Sequence, residues 1–345
     1  MGQYVGLDVS LRETKLHVLD ENGLRIWRGT SPSDPVALET VIRRRAPEAL
    51  RIGLETGPLT TWLWQAMTEA GLPMVCLDAR QAKAALNMKT NKTDANDAEG
   101  LAHLVRSGWY REVRVKSRSA MLARALITAR AQLLRIALDL SNQIRGMMKT
   151  FGLVVPKGAG RIFEHHVRER LSGEVTLSAI ILPLLDAWRA VRTQATELTR
   201  RLVAVVRDSA VCRRLMTVPG IGAVTAASFA AAIESPDNFK RSRDVGAWLG
   251  LTPRRFQSGE VDYGGHISRR GDAGLRALLY EAAVALLTRV RGESALRNWG
   301  LALKKRLGFK RATVALARKM AVVMHAIWTA GTDFDPMPSL ATSAT

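Results

Sequence analysis

Four carboxylate side chains in the first hundred residues stand where they could share one site. Asp8 ends the apolar run of "VGLDVS", Glu55 ends that of "RIGLETG", and Asp94 and Asp97 lie three apart in "KTNKTDANDAEGLAHLV". If the first two end neighbouring strands, their carboxylates emerge at one sheet edge, and a spacing of three puts Asp94 and Asp97 on one helix face. Four such groups can bind a pair of Mg²⁺ ions, which prefer hard oxygens and can clamp both reacting oxygens of a phosphodiester.

Each acid also has a simpler interpretation. Carboxylates are common at strand ends, and acids in the first turn of a helix offset the positive end of the helix dipole. Glu99 points away from the face shared by Asp94 and Asp97, and we expect it to be solvated. Only the combination with Asp8 and Glu55 favours a metal site.

A second motif is the glycine turn in "LMTVPGIGAVTAASF" (215–229). An apolar helix end, Pro-Gly-Ile-Gly and an Ala-rich helix are typical of a helix-hairpin-helix. There, Gly220 and Gly222 would let backbone N–H groups at the start of a helix approach a phosphate closely. An ordinary turn between two helices is the alternative.

A third motif is "GLTPRRFQSGEVDYGGHISRRGDAGLR" (250–276), which places Ser258 in a glycine-bearing loop. A serine hydroxyl is a poor nucleophile without a base or a metal. Arginine forks bind phosphate strongly, and four arginines flank the serine: Arg254, Arg255, Arg269 and Arg270. Tyr263 and His266 are equally available, so the residues alone do not choose a nucleophile.

The elements that must position these side chains follow from the apolar pattern. Residues 3–30 predict three short strands with a tight hairpin at Glu21-Asn22-Gly23. Alternating elements follow: a helix near 34–46, a strand over 49–55, a helix over 58–70, a strand over 73–78 and a helix over 93–107. Three antiparallel strands and then alternating helix and strand suit a ribonuclease-H-like mixed sheet with helices on its faces.

Two long helices are predicted next, each with apolar residues in steps of three and four. In residues 117–151 the seam is Leu122, Leu126, Ala129, Leu133, Ile136, Leu140, Gln143 and Met147. The second seam is Leu177, Ile181, Leu184, Trp188, Val191, Ala195, Leu198, Leu202 and Val205, with a kink expected at Pro183. The two helices are joined by a connector over 152–175. This arrangement predicts an antiparallel helical arm or a helix pair that dimerises, and the alternative is two core helices of one bundle. After residue 206 the chain reads as mostly helical, and we expect disorder from about 332.

Composition limits the class of protein. The 345 residues are 47% hydrophobic and carry a formal charge of +20, which indicates a folded chain of two or three domains with a polyanionic partner, either nucleic acid or an acidic membrane surface. Residues 1–115 hold 15 basic and 14 acidic side chains, whereas residues 116–345 hold 36 and 17. Two cysteines, Cys76 and Cys212, argue against a disulfide framework and fit a reducing cytoplasm. The run 215–233 is a poor membrane span, and no signal peptide is expected.

Taken together, the motifs resemble one family over roughly residues 3–330: the DEDD transposases of the insertion-sequence-110 family, which are RNA-guided serine recombinases. The motifs occur in the family's order: "YVGLDVS", "LETG", "KTDANDAEGLA", "VPGIG", "LGLTPRRFQSG" and "ISRRGDAGLR".

This resemblance implies a RuvC-like catalytic domain (1–115), a coiled-coil arm (116–206), a helical transposase domain with the helix-hairpin-helix (207–331) and a disordered tail (332–345). The family's metal-binding tetrad maps onto Asp8, Glu55, Asp94 and Asp97, and its nucleophile maps onto Ser258, although many relatives have a second serine where this chain has Gln257. The implied partners are DNA, a structured non-coding guide RNA and further copies of the chain in a dimer or tetramer. The implied site of action is the nucleoid in the bacterial cytoplasm.

Three other functions compete with this one. A Mg²⁺-dependent junction endonuclease of similar fold would use water as its nucleophile. An actin-like sugar kinase also opens with "GLDVS" beside a hairpin, but it leaves the charge excess unexplained. A catalytically silent nucleic-acid scaffold would have no need of all four carboxylates.

Overall fold

The computed structural model of the chain describes residues 2–86 and 94–337. They divide into two compact units whose boundary in the chain lies between Ser117 and Arg118. The first unit is built on a five-stranded mixed sheet, and the second is mostly helical. This order confirms a mixed α/β domain followed by a helical region, which is consistent with a ribonuclease-H-like first domain.

The first unit matches the predicted order of elements closely. The strands are β1 (Gln3–Val9), β2 (Glu13–Leu19), β3 (Arg25–Pro32), β4 (Ala49–Glu55) and β5 (Met74–Leu77). The helices are α1 (Pro35–Arg45), α2 (Thr60–Glu69), α3 (Ala79–Leu86) and α4 (Asp94–Ser107). Helix α3 was not predicted, and residue 93 of the helix predicted over 93–107 lies outside the described residues.

The sheet has the strand order β3-β2-β1-β4-β5. The pairs β1–β2 and β2–β3 are antiparallel, whereas β1–β4 and β4–β5 are parallel. The turn after Asp20 holds Gly23 at φ +85°, a conformation that glycine adopts without steric cost. The parallel β1–β4 pair brings the ends of two distant segments to one sheet edge.

Helices cover both faces of this sheet. Side chains alternate along a strand, and one alternating set, which includes Leu7 of β1 and Leu54 of β4, packs with residues of α1 and α2. On the other face α4 contributes Leu101 and Val105 to a second cluster. Neither face of the central strands is left to solvent, which is the layered arrangement expected for an α/β domain.

The second unit contains nine helices and one β-ribbon among the residues described. Its helices are α5 (Arg118–Thr150), α6 (Arg161–Arg170), α7 (Val175–Asp208), α8 (Ala210–Leu215), α9 (Ala223–Ile233), α10 (Ser242–Trp248), α11 (Ala273–Thr288), α12 (Ala295–Leu307) and α13 (Phe309–Ala330), with a short 3-10 turn at Pro236–Asn238. The ribbon pairs β6 (Pro253–Ser258) with β7 (Val261–Ile267).

Helices α5 and α7 run antiparallel. The Arg130 Nε of α5 donates a hydrogen bond to the Thr199 hydroxyl of α7 at 2.8 Å. Farther along α5, the Arg145 guanidinium lies over the ring of Phe163 in α6, and that ring meets Trp188 of α7 edge to face. Helix α6, which lies inside the predicted connector over 152–175, therefore joins a three-helix contact. Helix α7 continues through Pro183.

The buried face of α5 differs from the predicted seam by about one position. The buried residues in its second half are Ala137, Ser141, Ile144 and Met148, each one position after the predicted Ile136, Leu140, Gln143 and Met147. In this register Ile144 is buried and Gln143 is exposed, because burying an amide without partners costs free energy. In α7, five of the nine predicted positions are buried: Leu177, Ile181, Trp188, Ala195 and Leu202.

The predicted loop and tail also need correction. Ser258 ends a strand and does not lie in a loop. The chain after 332 is held at two points: the Phe334 N–H donates to the Thr217 hydroxyl, and the Ala295 N–H donates to the Pro336 carbonyl. The predicted tail is therefore held from Phe334 to Pro336, and its residues 338–345 lie outside the described residues. Over the ranges described, no helix is both long and apolar enough to cross a bilayer.

Both cysteine thiols are buried and free. Burial, followed by the carboxylates of Glu112 and Asp78, raises the pKa of the Cys76 thiol to about 11, and burial raises the pKa of the Cys212 thiol. Since the thiolate is the reactive form, we expect iodoacetamide at pH 8 to leave both cysteines of the folded protein largely unmodified and to alkylate both in guanidinium. Intact-mass spectrometry measures this, with Ser172→Cys, at an exposed position, as the reactive control. Rapid native alkylation of Cys76 would contradict the packing of β5.

Candidate active site

Asp8 and Glu55 occupy equivalent places on adjacent parallel strands. Leu7 pairs with Leu54 in the β1–β4 register, so the next residue on each strand is one of the two acids. Both acids are half-buried, whereas Leu7 and Leu54 are fully buried on the opposite face. The carboxyl ends of parallel strands thus deliver two carboxylates to the same edge and the same face of the sheet, as the sequence predicted.

Hydrogen bonds fix the chain directly after each acid. The Ser33 hydroxyl donates to the Ser10 carbonyl at 2.7 Å, two residues beyond Asp8. The Thr60 hydroxyl donates to the carbonyl of Glu55 and accepts from the Gly57 N–H, each at 2.7 Å. These contacts restrict the backbone at both strand ends, so the carboxylates are mounted on rigid elements.

Helix α4 lies on the same face as the two acids because two glycines admit it. A Cβ on Gly6 would stand 2.1 Å from the Ala98 carbonyl oxygen, and one on Gly53 would stand 2.4 Å from Val105 Cγ1. Gly6 and Gly53 are register partners, and each is two residues before its acid. Any larger residue at Gly6 would push the helix off the sheet.

The direction of α4 brings its first turn to the acidic edge. Its last turn lies at the opposite end of β1, where the Arg106 guanidinium donates to the Glu21 carbonyl in the β2–β3 hairpin. The helix consequently runs antiparallel to β1, and Asp97, directly before Ala98, belongs to the turn nearest the ends of β1 and β4. Asp94 begins the helix, and its side chain lies outside the described residues.

The arrangement fits a divalent cation in the chemistry of its donors. Two strand ends and one helix start contribute hard carboxylate oxygens, the ligands that Mg²⁺ prefers. Among the side chains described, which exclude that of Asp94, no three His, Cys, Asp or Glu residues form a closed metal-binding group. The Glu99 side chain is 33% exposed, with its Oε1 3.9 Å from His103 Nε2, so it is solvated only in part.

The two glycines of the "VPGIG" turn differ in their surroundings. Gly220 has φ +90°, and a Cβ there would meet the Ala282 carbonyl of α11 at 2.7 Å. Its main role in the fold is thus a close backbone approach to α11. Gly222 is the N-cap of α9, makes no side-chain cap bond, and has open space where its Cβ would stand. Of the two, only Gly222 leaves room for a ligand.

Ser258 stands at the exposed tip of the β6–β7 ribbon. It pairs with Val261 across the two-residue turn Gly259-Glu260, and Gly259 alone of these two has positive φ (+55°), as a type II′ turn requires. Alternation along the strands puts Ser258 on the same ribbon face as Phe256 and Tyr263. These two exposed rings stack with centroids 5.1 Å apart.

The four predicted arginines are not equivalent. Arg255 lies on the other ribbon face, where its Nε donates to Asp262 Oδ1 at 2.9 Å in a two-pronged ion pair. That pair raises the pKa of Arg255 and lowers the pKa of Asp262. Arg254 makes a long 3.4 Å contact to the Ser268 carbonyl, whereas Arg269 and Arg270 are exposed in the loop after β7. Arg255 is therefore the least available of the four for a phosphate.

The loop that carries Arg269 and Arg270 is held tightly. Arg269 has φ +56°, unusual for a non-glycine residue. A Cβ on Gly250 would meet the Arg270 nitrogen at 2.5 Å, so the two backbones pack directly together. Arg276 donates to the carbonyls of Leu249 and Gly271. The two exposed arginines therefore project from a fixed loop.

Gly6, Gly53 and Arg276 were not predicted as parts of these sites. A signal for the glycines was present: "GLD" at 6–8 and "GLE" at 53–55 repeat one pattern, a glycine two residues before each acid. Residues two apart on a strand share a face, so the repeat indicated a helix packed beside both acids.

Comparison with known proteins identifies the family. Residues 5–152 match the model for DEDD-type IS110 transposases, described as "Transposase", and residues 212–298 match the "Transposase IS116/IS110/IS902 family". The transposase for insertion sequence element IS1111A of Coxiella burnetii is 32% identical over 268 residues, covering 75% of this chain and 72% of that protein. A probable family 20 transposase of Pseudomonas aeruginosa and the IS1328 transposase of Yersinia enterocolitica are each 30% identical, covering 72% of this chain and 75% of each relative.

The mixed sheet with acids at its parallel strand ends thus belongs to a DNA-processing enzyme of the DEDD transposase class. The chain belongs to the IS110 family of insertion-sequence transposases.

The contact between α4 and β1 can be tested at Gly6. We expect Gly6→Ala to lower the free energy of unfolding by about 1–3 kcal/mol, because its Cβ would overlap the α4 backbone. Gly146→Ala is the matched control: it lies within α5 with nothing within 4 Å of its Cβ, so helix propensity predicts a gain of about 0.5–1 kcal/mol. Urea unfolding followed by circular dichroism measures both. An unchanged midpoint in Gly6→Ala would show that α4 is not seated as described.

Proposed function

We propose that this transposase cleaves and exchanges DNA strands with Ser258 as nucleophile. Two Mg²⁺ ions would be held by Asp8, Glu55, Asp94 and Asp97. The observation that carries the proposal is the matched placement of Asp8 and Glu55 at the ends of β1 and β4, with α4 starting at the same edge. Family membership supplies the substrate, the DNA of an insertion sequence.

The metal would supply charge neutralisation at the phosphate and a Lewis acid for the oxygen that leaves. The chain's own contribution is to hold hard oxygens from separate elements at one edge. Because the strand ends and the start of α4 are fixed by the contacts around Gly6, Thr60 and Ser33, little reorganisation would be needed on binding.

The serine step is a phosphoryl transfer. The Ser258 Oγ attacks a DNA phosphorus, the P–O3′ bond breaks, and the 3′ oxygen takes up a proton as the serine hydroxyl loses one. The products are a phosphoserine ester and a free 3′ hydroxyl, so the phosphodiester bond is exchanged and not hydrolysed. Support comes from the exposure of Ser258 at the tip of the β6–β7 ribbon.

Side chains of the second unit would donate the hydrogen bonds that hold the DNA phosphate during that step. Within the described ranges, the guanidinium groups of Arg254, Arg269 and Arg270 form no fork with a carboxylate, and Arg255 would join them only by giving up Asp262. The "VPGIG" turn is proposed as a helix-hairpin-helix that contacts the backbone, through Gly222 in particular, with Gly220 setting the turn.

The larger assembly is also part of the proposal. The +19 charge of residues 116–345 suits backbone contacts to both DNA and a structured guide RNA. The antiparallel α5–α7 pair is proposed as a coiled-coil arm that joins copies into a dimer or tetramer. The proposed division is a RuvC-like domain (1–115), the arm (116–206) and the transposase domain (207–331).

A Mg²⁺-dependent junction endonuclease is the second candidate, favoured by the fact that the carboxylates alone could activate water. It would leave Ser258 without a chemical role. The two candidates differ in whether the DNA ever becomes linked to protein.

We expect Ser258→Ala to abolish strand transfer and the covalent adduct, because Ser258 is the one hydroxyl-bearing residue of the tip residues 258–261, while Tyr263 on the same face is stacked on Phe256. Ser268→Ala, just beyond β7 in the same motif, is the control and should retain both activities. The assay uses 5′-labelled and 3′-labelled element-end DNA with Mg²⁺ and the flanking non-coding RNA, and detects labelled protein after denaturation. Cleavage by Ser258→Ala at the undiminished rate would favour the endonuclease.

A further inference from the structure

The turn that joins α12 and α13 concentrates positive charge. Between Ser294 and Thr332 the chain has eight basic residues and no acidic one. Five of the eight lie within eight positions, and all five are exposed: Lys304, Lys305, Arg306, Lys310 and Arg311. We call these five side chains the α12–α13 basic surface.

No carboxylate neutralises this surface within the described part of the chain. None of its five cations lies within ion-pair distance of an Asp or Glu there, whereas on α6 and α7 the arginines Arg168 and Arg189 share Glu164 at 3.1 and 2.7 Å. Like charges held together repel one another. Lys310 and Arg311 also occupy the first turn of α13, which has no acid and where the helix dipole disfavours cations. A polyanion in contact with the surface would offset both costs.

The neighbouring face of α12 is shaped for close approach. Asn298, Trp299 and Ala302 are exposed and fall on the same helix face as Lys305 and Arg306. The small Ala302 leaves the centre of this face open. The opposite face is buried, with Leu296, Gly300 and Leu303 turned to the core.

Both helices that carry the surface are rigidly mounted. The Ser294 hydroxyl caps α12 by accepting from the Arg297 N–H at 3.2 Å. A Cβ on Gly300 would stand 3.0 Å from Leu316 Cδ2 of α13 and 3.1 Å from Leu287 Cδ2 of α11. The backbone positions that carry the cations therefore keep their spacing, so binding orders only the side chains and not the helices.

We propose that the α12–α13 basic surface binds the phosphate backbone of duplex DNA. An exposed helix face fits the major groove of B-form DNA, whereas the major groove of A-form RNA is too narrow and deep. The inference rests on the proposed action on DNA, but it needs neither Ser258 nor the metal. It assigns a substrate-holding role to a surface outside the motifs of the sequence analysis.

The test is duplex binding by a triple variant, Lys305→Gln, Arg306→Gln and Lys310→Gln. A matched variant, Lys149→Gln, Lys157→Gln and Arg170→Gln, removes the same charge from exposed positions elsewhere in the second unit, none of which forms an ion pair with a described residue. Fluorescence anisotropy with a labelled 30-base-pair duplex is run in EDTA over a range of salt, and circular dichroism checks that both variants are folded. The same anisotropy measurement is made on Ser258→Ala, which should bind the duplex with native affinity even though the proposed nucleophile is absent.

We expect the triple variant to bind duplex DNA roughly 10- to 100-fold more weakly at 0.1 M salt. The slope of log affinity against log salt should become less negative by about 3, because each lost phosphate contact contributes about 0.9 to its magnitude. The affinity and salt slope of the matched variant should change much less. Exchanging Lys for Arg and Arg for Lys at positions 305, 306 and 310 keeps the charge and should preserve binding. Equal losses in both variants would overturn the proposal by showing a general charge effect. So would an unchanged duplex affinity, including the case in which only binding of a structured RNA hairpin is lost.

Discussion

The contact of α4 with the bare backbone at Gly6 and Gly53 is the constraint on which the candidate active site depends. The carboxylates at the ends of β1 and β4 come from the sheet itself, whereas Asp97 belongs to a helix that begins 39 residues after Glu55 (94 − 55). Only a helix that reaches the sheet at backbone distance places its first turn beside Asp8 and Glu55. Two missing Cβ atoms therefore decide whether the acids of three segments share one edge.

In the second unit, the exposed β6–β7 ribbon carries Ser258 at its tip. A nucleophile for DNA must be exposed, whereas the groups that aim it must be fixed. For the proposed nucleophile Ser258, the chain offers a two-stranded ribbon whose tip is exposed and whose base adjoins a loop packed on Gly250 and hydrogen-bonded by Arg276. The Arg255–Asp262 ion pair and the Phe256–Tyr263 stack stiffen the ribbon between base and tip.

Sequence patterns predicted most of the first unit and less of the second. Strand β4 has the predicted bounds, because an apolar run between polar flanks is a local signal. The ribbon was missed because β6 is exposed along its whole length, so it has no alternation of buried and exposed residues to detect. In α5, apolar residues occupy two adjacent stripes, and only packing against α6 and α7 selects the one that contains Ile144. The close approach at Gly6 involves α4, a separate element, and its signal in the sequence is the repeat of a glycine two residues before each acid, which does not say which helix packs there.

Binding of Mn²⁺, a spectroscopic substitute for Mg²⁺, tests the central claim most directly. Free Mn²⁺ is measured by electron paramagnetic resonance during titration of the intact chain, without nucleic acid, for the native protein and for Asp8→Asn, Glu55→Gln and Asp97→Asn, with Glu99→Gln as the control on the same helix. If the acids of β1, β4 and α4 share one site, each of the three variants loses affinity at least tenfold and Glu99→Gln keeps it. Native affinity in any of the three, or an equal loss in Glu99→Gln, would contradict the shared site.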